Sequence, residues 1–205
     1  MLKRFLPAAL IALTACGQDA GSQNVSSAGI SSSCKTRSDV KLGGPISLIN
    51  QDGVRVTEDD FKGRHALVFF GFTYCPDVCP YTLYGINAAL EELPEGTEKP
   101  LTIMITVDPE RDTPEEMKAY IQNDNFPADI VGLTGSEAEI KAASEAFGSV
   151  YSRIEDDKSE AGYTMEHMAI IYLMDENWKL ESFFLEASQP DKMTECLAEF
   201  LPSTD

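Results

Sequence analysis

Two runs of consecutive apolar residues limit the fold of this chain more than any other feature of its sequence. Ala66 to Phe70 contains apolar residues only, and Leu101 to Val107 is nearly as apolar. Both runs have the length of a strand, and neither alternates with polar residues as a strand with one solvent face would. The sequence therefore predicts two buried strands of a sheet that is covered by helices on both faces.

Helix signals alternate with the strand signals. The first predicted helix runs from Pro80 to about Leu93 and ends at a Pro-Glu-Gly sequence. A second helix is predicted to start with Thr113 as N-cap, with proline and two acids directly after it. A short strand at 130–133 precedes a third helix, which Ser136 is predicted to start. These elements predict a β-α-β-α-β-α order.

Further strands flank this central part of the chain. The additional elements are predicted to be strands 46–49 and 54–56 around an Asn50-Gln51-Asp52-Gly53 turn, strands 168–174 and 179–184, and a final helix at 189–200. The late strand pair makes the predicted sheet mixed and not purely parallel. The order is typical of an α/β chain with a thioredoxin-like fold: a central mixed β-sheet flanked by helices, here with an N-terminal β-hairpin.

The N-terminus has the features of an export signal. Lys3 and Arg4 precede an apolar run at 5–15, which is shorter than the roughly 20 residues that span a bilayer. The run ends in Leu13-Thr14-Ala15-Cys16, which resembles the lipobox of bacterial lipoproteins. An ordinary secretory signal with an incidental cysteine is the alternative.

This reading divides the chain into three segments. We expect a lipoprotein signal peptide at 1–15, a lipidated Cys16 with a flexible linker at 16–42, and a folded domain at 43–205. The protein is then a membrane-anchored lipoprotein of the bacterial cell envelope, with its domain facing the periplasm. Disulfides can persist in that compartment.

The charge of the chain excludes one class of partner. Its 205 residues carry a formal net charge of -18. Because phosphate backbones would repel so acidic a chain, we predict that it does not bind nucleic acid.

The chain has five cysteines, and their positions indicate different uses. Cys16 is predicted to carry the lipid. Cys34 and Cys196 lie near opposite ends of the domain and could form a structural disulfide, although two unpaired thiols are the alternative. Cys75 and Cys79 are close together and are predicted to form a paired-thiol site.

The paired cysteines follow the first buried strand, where a loop leads into a helix. Such strand ends are where α/β folds bind ligands. Pro80 places Cys79 at the predicted N-cap, since proline suits the first helical position. Helix N-termini favour thiolates, and a thiolate both binds metal and attacks disulfides. Cys75 and Cys79 could therefore form a redox-active disulfide or hold a metal ion.

A histidine is predicted to face these cysteines. In a thioredoxin-like sheet, the loop before the late strand faces the cysteine loop and usually carries a proline. This chain has no proline between Pro127 and Pro190, and His167 occupies that neighbourhood, at the entry to the late strand. Two thiolates and an imidazole favour Cu(I) over zinc, which would need a fourth ligand.

Residues beside His167 could contribute to the same site. Met165 and Met168 carry thioethers that suit Cu(I), although packing in the core is the favoured role for both, particularly for Met168. Glu166 could orient the histidine, as carboxylates do at many metal sites. A charged run at 155–160 precedes this segment and is predicted to be a solvated hairpin tip.

Four motifs, in order, resemble the Sco/SenC family of copper-binding proteins with a thioredoxin-like fold. They are Gly-Phe-Thr-Tyr-Cys-Pro-Asp-Val-Cys-Pro (71–80), Val-Asp-Pro-Glu-Arg-Asp-Thr-Pro-Glu (107–115), Gly-Leu-Thr-Gly (132–135), and the late histidine followed by Tyr-Leu-Met-Asp (172–175). The resemblance covers about residues 43–184. It implies one copper ion, Cu(I) or Cu(II), bound by Cys75, Cys79 and His167.

The resemblance also implies a role, partners and neighbouring residues. Family members assist assembly of the binuclear copper site in cytochrome c oxidase subunit II, by delivering copper, reducing the receiving cysteines, or both. Other periplasmic copper chaperones and thioredoxin-like reductants are further expected partners. Asp77, Glu166, Asp108 and Arg111 are expected beside the ligands, with Arg111 paired to a nearby acid.

The chain departs from the family pattern at one place. The family usually has Asp-His-Ser or Asp-His-Thr around the histidine, whereas this chain has Glu166-His167-Met168. Glutamate keeps the charge and adds a methylene, and methionine removes a hydroxyl. The histidine is retained, so copper binding is still expected.

Two other functions are alternatives to a copper metallochaperone. A thiol-disulfide reductase would use Cys75 and Cys79 as attacking and resolving thiols and would not need His167. A peroxiredoxin-like peroxidase ranks lowest, because those enzymes have a threonine three residues before the reactive cysteine and Thr73 is only two before Cys75.

Overall fold

The computed structural model describes residues 41–159, 161–185 and 189–203. The strands are β1 (Ser47–Asn50), β2 (Arg55–Thr57), β3 (Ala66–Gly71), β4 (Leu101–Thr106), β5 (Ile130–Thr134), β6 (Tyr151–Glu155), β7 (Tyr163–His167), β8 (Ile171–Met174) and β9 (Leu180–Phe184). The helices are α1 (Val78–Glu91), α2 (Pro114–Ile121), α3 (Glu137–Phe147) and α4 (Pro190–Phe200), with a 3₁₀ turn at Glu58–Phe61.

Seven strands form a central mixed sheet in the order β2-β1-β5-β4-β3-β8-β9. The middle strands β3, β4 and β5 are parallel, and β8 and β9 extend the sheet in antiparallel fashion on one side. On the other side the β1–β2 hairpin joins through an antiparallel pairing of β1 with β5. The predicted mixed sheet and N-terminal hairpin are confirmed.

Apolar side chains pack against both faces of this sheet. All six residues of β3 are buried, and successive side chains enter opposite layers. Val68 and Phe70 pack with Phe147 of α3 on one face, whereas Leu67 and Phe69 pack with α1 and α4 on the other. Burial on both faces explains why the strand is a continuous apolar run.

The N-terminal hairpin turns at the predicted residues. The Asn50 side-chain oxygen accepts hydrogen bonds from the backbone N–H groups of Asp52 and Val54, at 3.0 and 2.9 Å. Gly53 has a φ of +77°, a left-handed conformation that glycine adopts without a Cβ clash. The turn is therefore stabilised by the asparagine side chain and permitted by the glycine.

Three of the four predicted helix starts are confirmed, among them that of α4, which begins at Pro190 with Gln189 as N-cap. The Thr113 hydroxyl accepts the Glu116 N–H, and Ser136 forms a reciprocal capping box with Glu139. The start of α1 differs, because the helix begins at Val78 with Asp77 as N-cap, so that Cys79 is its second residue. Backbone N–H groups in the first turn of a helix have no acceptor within the helix, so a proline there loses no hydrogen bond. Pro80 can therefore be the third helical residue, after Val78 and Cys79.

A second, two-stranded sheet was not predicted. Strands β6 and β7 pair antiparallel, and Glu155 lies opposite Tyr163 at the end of the ladder. This pairing confirms a hairpin in this region, although Glu155 belongs to β6 and residue 160 lies outside the described residues. Residues 168–170 connect β7 to β8, so the strand predicted from Met168 starts only at Ile171. Met168 is 42% exposed, and its predicted core packing is therefore wrong.

The N-terminal predictions lie largely outside the described residues. The proposed signal peptide, Cys16, Cys34 and most of the linker precede residue 41. Leu42, assigned above to the linker, packs against the core. Cys196 is fully buried in α4, and its proposed bridge to Cys34 stays a prediction. Among the described residues, no helix is both long enough and apolar enough to cross a membrane.

Candidate metal centre

The two cysteines lie where the chain leaves β3 and enters α1. Cys75 is on the connecting loop, and its N–H donates to the Phe72 carbonyl oxygen at 3.2 Å. Cys79 lies in the first turn of α1, where its own N–H donates to the Cys75 sulfur at 3.3 Å. Cys75 is half-buried, whereas Cys79 is completely buried. The two sulfurs therefore differ in their access to a partner molecule.

His167 completes the cluster from a distant part of the chain. It is the last residue of β7, and its Nε2 lies 3.5 Å from the Cys79 sulfur. The ligand atoms of Cys75, Cys79 and His167 all lie within 4.8 Å of one another. The structure thus brings together the three side chains that the sequence predicted as ligands.

The imidazole is oriented by contacts on two sides. Its Nδ1 lies 3.3 Å from the Met168 carbonyl oxygen, and its ring meets Phe72 edge-on with centroids 5.9 Å apart. A proton on Nδ1 would donate to that carbonyl and leave the Nε2 lone pair facing the sulfurs, as in many metal-binding histidines. Glu166, predicted to orient the ring, lies on the exposed side of β7.

The two thiols have opposite acidities. A hydrogen bond from the Cys79 thiol, helped by His167 and nearby backbone N–H groups, lowers the pKa of Cys75 to about 4. The same hydrogen bond and burial strongly raise the pKa of Cys79. At neutral pH the reduced pair therefore consists of a Cys75 thiolate that accepts a hydrogen bond from a Cys79 thiol.

Alkylation of Cys75 should therefore be nearly independent of pH in the mildly acidic range. With a pKa of about 4, at least about nine-tenths of this thiol is ionised at about pH 5. We expect its rate with iodoacetamide in the reduced, copper-free protein to change less than about twofold between about pH 7 and pH 5. The same peptide in denaturant should slow about a hundredfold. A comparable slowing in the folded protein would contradict the assigned acidity.

The donor set fits copper better than the other common ions. Thiolates select soft ions such as Cu(I), and imidazole binds both copper and zinc. Among the described residues the cluster consists of these three ligands, one fewer than a closed structural zinc site requires. The Met165 side chain packs against the core. Met168 is exposed beside His167.

The loop after β4 lies next to the cysteine loop. Arg111 forms an ion pair with the buried Asp108, as predicted for a nearby acid. The Arg111 guanidinium also lies over the Tyr74 ring, 4.7 Å from its centroid. Asp77 is exposed at the N-cap of α1, and its backbone N–H hydrogen-bonds to the Cys75 sulfur. Arg111 therefore contacts the loop that carries Cys75, and Asp108 holds Arg111 through their ion pair, whereas Asp77 is exposed to solvent.

A buried carboxylate beneath the cysteine loop was missed. Asp112 is fully buried and accepts hydrogen bonds from the Thr73 N–H and hydroxyl, at 3.1 and 2.6 Å, and from the Thr106 hydroxyl. Burial raises its pKa. The carboxylate thereby ties the cysteine loop to the end of β4. The available signal was the position of Asp112 within the motif at 107–115. Helix capping accounts for the residues from Thr113 onwards and leaves this aspartate unexplained.

Comparison with known proteins identifies relatives along most of the chain. The SCO1/SenC family model matches residues 34–202. The chain is 38% identical to the SCO2-like protein of Rickettsia prowazekii over 155 residues, which are 75% of each protein. It is similar to Arabidopsis thaliana ScoI with copper bound, with a TM-score of 0.72 and 34% identity, over 77% of this chain and 96% of that chain.

The chain is also similar to a bacterial Sco structure. Bradyrhizobium japonicum ScoI with copper bound aligns with a TM-score of 0.68 and 37% identity, over 78% of this chain and 99% of that chain. The thioredoxin-like fold expected from the order of elements is the fold of these Sco structures. The match of the family model, the sequence identity and the shared fold agree, and the chain belongs to the SCO1/SenC family.

Proposed function

We propose that this protein binds one copper ion through Cys75, Cys79 and His167 and assists assembly of the binuclear copper site in cytochrome c oxidase subunit II. The observation that carries this proposal is the convergence of two thiols and an imidazole, all within 4.8 Å of one another. The Sco family is involved in cytochrome c oxidase assembly. Copper is the cargo of such a protein, and Cu(I) and Cu(II) are both proposed to bind.

The chemistry of the cluster supports both oxidation states. The two sulfurs are soft ligands for Cu(I), and the Nε2 of His167 adds a harder ligand that Cu(II) favours. Cys75 is deprotonated at neutral pH, so copper must displace only the proton on Cys79. Copper binding should therefore release a single proton from the reduced pair near neutral pH.

Exposed apolar side chains next to the cluster support a role in binding a partner protein. Tyr74, Val78 and Met168 are exposed large apolar side chains next to the three ligands in sequence. Surface apolar groups of this kind occur at protein interaction sites. The proposed partners are the oxidase subunit and other periplasmic copper chaperones that exchange the metal at this surface.

We propose a location that fits such exchange. A signal peptide at 1–15 and a lipid on Cys16 would anchor the domain to a bacterial membrane on its periplasmic side. Bacterial relatives, among them a SCO1/SenC family lipoprotein of Bacillus anthracis, support this location. Mass spectrometry of the membrane-extracted protein tests the anchor, because a diacylglyceryl group on Cys16 is the expected modification and an unmodified, soluble chain would contradict it.

Copper titration of the purified protein and of His167→Ala tests the ligand assignment. We expect the wild-type protein to bind one Cu(I) and one Cu(II) per chain in separate titrations. His167→Ala should lower the Cu(II) affinity by on the order of a hundredfold and the Cu(I) affinity much less, because two thiolates alone satisfy Cu(I). Competition with chelators for each ion measures both affinities.

The titration distinguishes an error in the proposed copper function from an error in the assignment of His167 as a ligand. If the wild-type protein fails to hold copper against a modest chelator, the proposed function is wrong. If copper is held and His167→Ala changes neither affinity, the assignment of His167 as a ligand is wrong. Asn87→Ala, a change at a partly buried position farther along α1, serves as the control and should leave both affinities unchanged.

A thiol-disulfide reductase is the second candidate, and one observation favours it. Cys75 is an accessible thiolate beside the buried Cys79 thiol, as in a nucleophile with its resolving partner. Cys75 would attack a disulfide of the oxidase subunit, and Cys79 would then displace that sulfur. The partner gains two thiols, and this protein is left with a Cys75–Cys79 disulfide, which a thioredoxin-like reductant would reduce again.

The His167→Ala variant also distinguishes a reductase from a copper-binding protein, because only copper binding needs the imidazole. Because thiol exchange does not use the imidazole as a ligand, the variant should reduce a disulfide-containing subunit II fragment at a rate within about threefold of the wild type. A variant that loses Cu(II) binding and keeps this rate would show two separable activities. A wild-type protein with no measurable rate would exclude the reductase.

A further inference from the structure

The strand that carries His167 meets the rest of the domain through one face. Tyr163, Met165 and His167 alternate along β7 and therefore point to the same side. Their side chains contact Asp108, the core and Cys79, respectively. Within the described residues, the β6–β7 ladder is separate from the central sheet. Side-chain contacts on this face therefore determine where the strand lies.

Tyr163 is the most constrained of these side chains. It is 3% exposed, and its hydroxyl donates to Asp108 Oδ1 at 2.9 Å. The Arg111 guanidinium lies 4.0 Å from the ring centroid, and that of Arg153 lies 3.5 Å from it. Asp108 also pairs with Arg111, so the hydroxyl and the ring are held by one ion pair.

Arg111 also contacts the loop that carries Cys75. Its guanidinium lies 4.7 Å from the Tyr74 ring centroid and 6.0 Å from that of Phe72. Phe72 in turn packs edge-on against the His167 ring. The Arg111 cation, whose side chain is 13% exposed, thus lies between the cysteine loop and the histidine strand. Movement of Tyr163 away from it would shift both the strand and the surroundings of the imidazole.

We propose that Tyr163, held by the Asp108–Arg111 ion pair, positions His167 against the two cysteines. The proposal rests on the proposed copper function and adds a positioning group to it. Tyr163 lies four residues before His167 on an extended strand, about 13 Å along the chain. It acts by fixing one end of β7 so that the imidazole at the other end stays within reach of the sulfurs.

The two oxidation states should respond differently to loss of this group. Two thiolates alone can hold Cu(I), so a displaced imidazole weakens Cu(I) binding little. Cu(II) prefers the imidazole nitrogen as an additional ligand and depends on its placement. A defect in positioning is therefore selective for Cu(II), whereas general loss of structure would lower both affinities together.

The test compares Tyr163→Phe and Arg111→Lys with the matched control Tyr151→Phe in the full-length protein. Tyr163→Phe keeps the ring and removes the hydroxyl that bonds Asp108, and Arg111→Lys keeps the charge and removes the planar group. Tyr151→Phe removes a hydroxyl from β6 of the same hairpin, opposite His167, and leaves the Asp108 contact intact. Cu(II) and Cu(I) affinities, the Cu(II)–thiolate absorption band and hydrogen exchange of the copper-free protein are measured.

We expect Tyr163→Phe and Arg111→Lys each to lower Cu(II) affinity about tenfold, from loss of a hydrogen bond or stacking contact to a charged group. Cu(I) affinity should change less than about threefold. The charge-transfer band should shift, and amide exchange in β7 should accelerate in the copper-free protein. Tyr151→Phe should match the wild type in all four measurements.

Equal loss of both affinities, or unchanged exchange in β7 with an unchanged absorption band, would overturn the proposal. These results are distinct from failure of the copper function itself. If the wild-type protein binds no copper, hydrogen exchange still decides whether Tyr163 and Arg111 hold the strand. Acceleration in the two variants and not in Tyr151→Phe would then support the structural half of the proposal.

Discussion

Replacement of Cys79 by serine is expected to lower Cu(I) affinity by roughly a few hundredfold, the largest effect on binding that we predict. Structural zinc sites with four ligands gain about 10–16 kcal/mol, or about 3 kcal/mol for each ligand, and a thiolate ligand of copper is expected to contribute on the same scale. The serine hydroxyl is not deprotonated near neutral pH and is a hard ligand, so it cannot replace the thiolate. Cys79 contacts both other ligands, and its loss therefore leaves a one-sulfur site.

The change should leave the fold intact, because serine has nearly the volume of cysteine. Gly71 of β3 lies against the Cys79 sulfur, since a Cβ on Gly71 would be only 2.9 Å from it. Competition with a Cu(I) chelator measures the affinity, and thermal unfolding of the copper-free protein checks the fold. A serine variant that keeps wild-type affinity would contradict the site.

A second cysteine variant controls for copper bound elsewhere. The double variant Cys34→Ser, Cys196→Ser removes two further cysteines of the chain and keeps Cys75 and Cys79. Its Cu(I) affinity should equal that of the wild type, whether or not these two cysteines form a bridge. Comparison with Cys79→Ser then assigns the bound copper to the paired-thiol site.

The convergence of Cys75, Cys79 and His167 could be predicted from the sequence, because it depends on a few residue types at recognisable positions. Two cysteines at a strand end and a histidine in place of an expected proline indicate soft-metal binding without knowledge of any distance. The same holds for the central sheet, since continuous apolar runs indicate burial on both faces. Such features depend on the local sequence, and the structure reproduces them in β3, β4 and α2.

Other features depend on contacts between distant residues and could not be predicted. Strand β6 is mostly exposed and lacks a strong alternation of apolar and polar residues, so the strand pair that carries His167 gave no clear signal. Tyr163 is indistinguishable in sequence from other tyrosines of the chain. Its buried hydroxyl contact with Asp108, 55 residues away, exists only in the folded chain.

Asp112 is the clearest case of such a contact, and its removal should produce the largest loss of stability. Asp112→Ala is expected to lower the free energy of unfolding by about 3 kcal/mol, since each buried donor left without an acceptor costs about 1–3 kcal/mol. The affected donors are the Thr73 N–H, the Thr73 hydroxyl and the Thr106 hydroxyl. Urea unfolding of the reduced, copper-free protein measures the change.

Asp112→Asn separates the hydrogen bonds from the charge. Its amide oxygen can accept from the Thr73 N–H, and its NH₂ group can donate to the Thr73 hydroxyl, so it should lose much less stability than alanine. Because burial raises the pKa of Asp112, the folded state binds the proton more tightly than the unfolded state does. Wild-type stability should therefore rise relative to Asp112→Asn as the pH falls from neutral through that raised pKa towards the ordinary carboxyl range. A difference that is constant with pH would show that the carboxyl is not desolvated, and equal stability of the alanine and asparagine variants would show that it does not hold the cysteine loop.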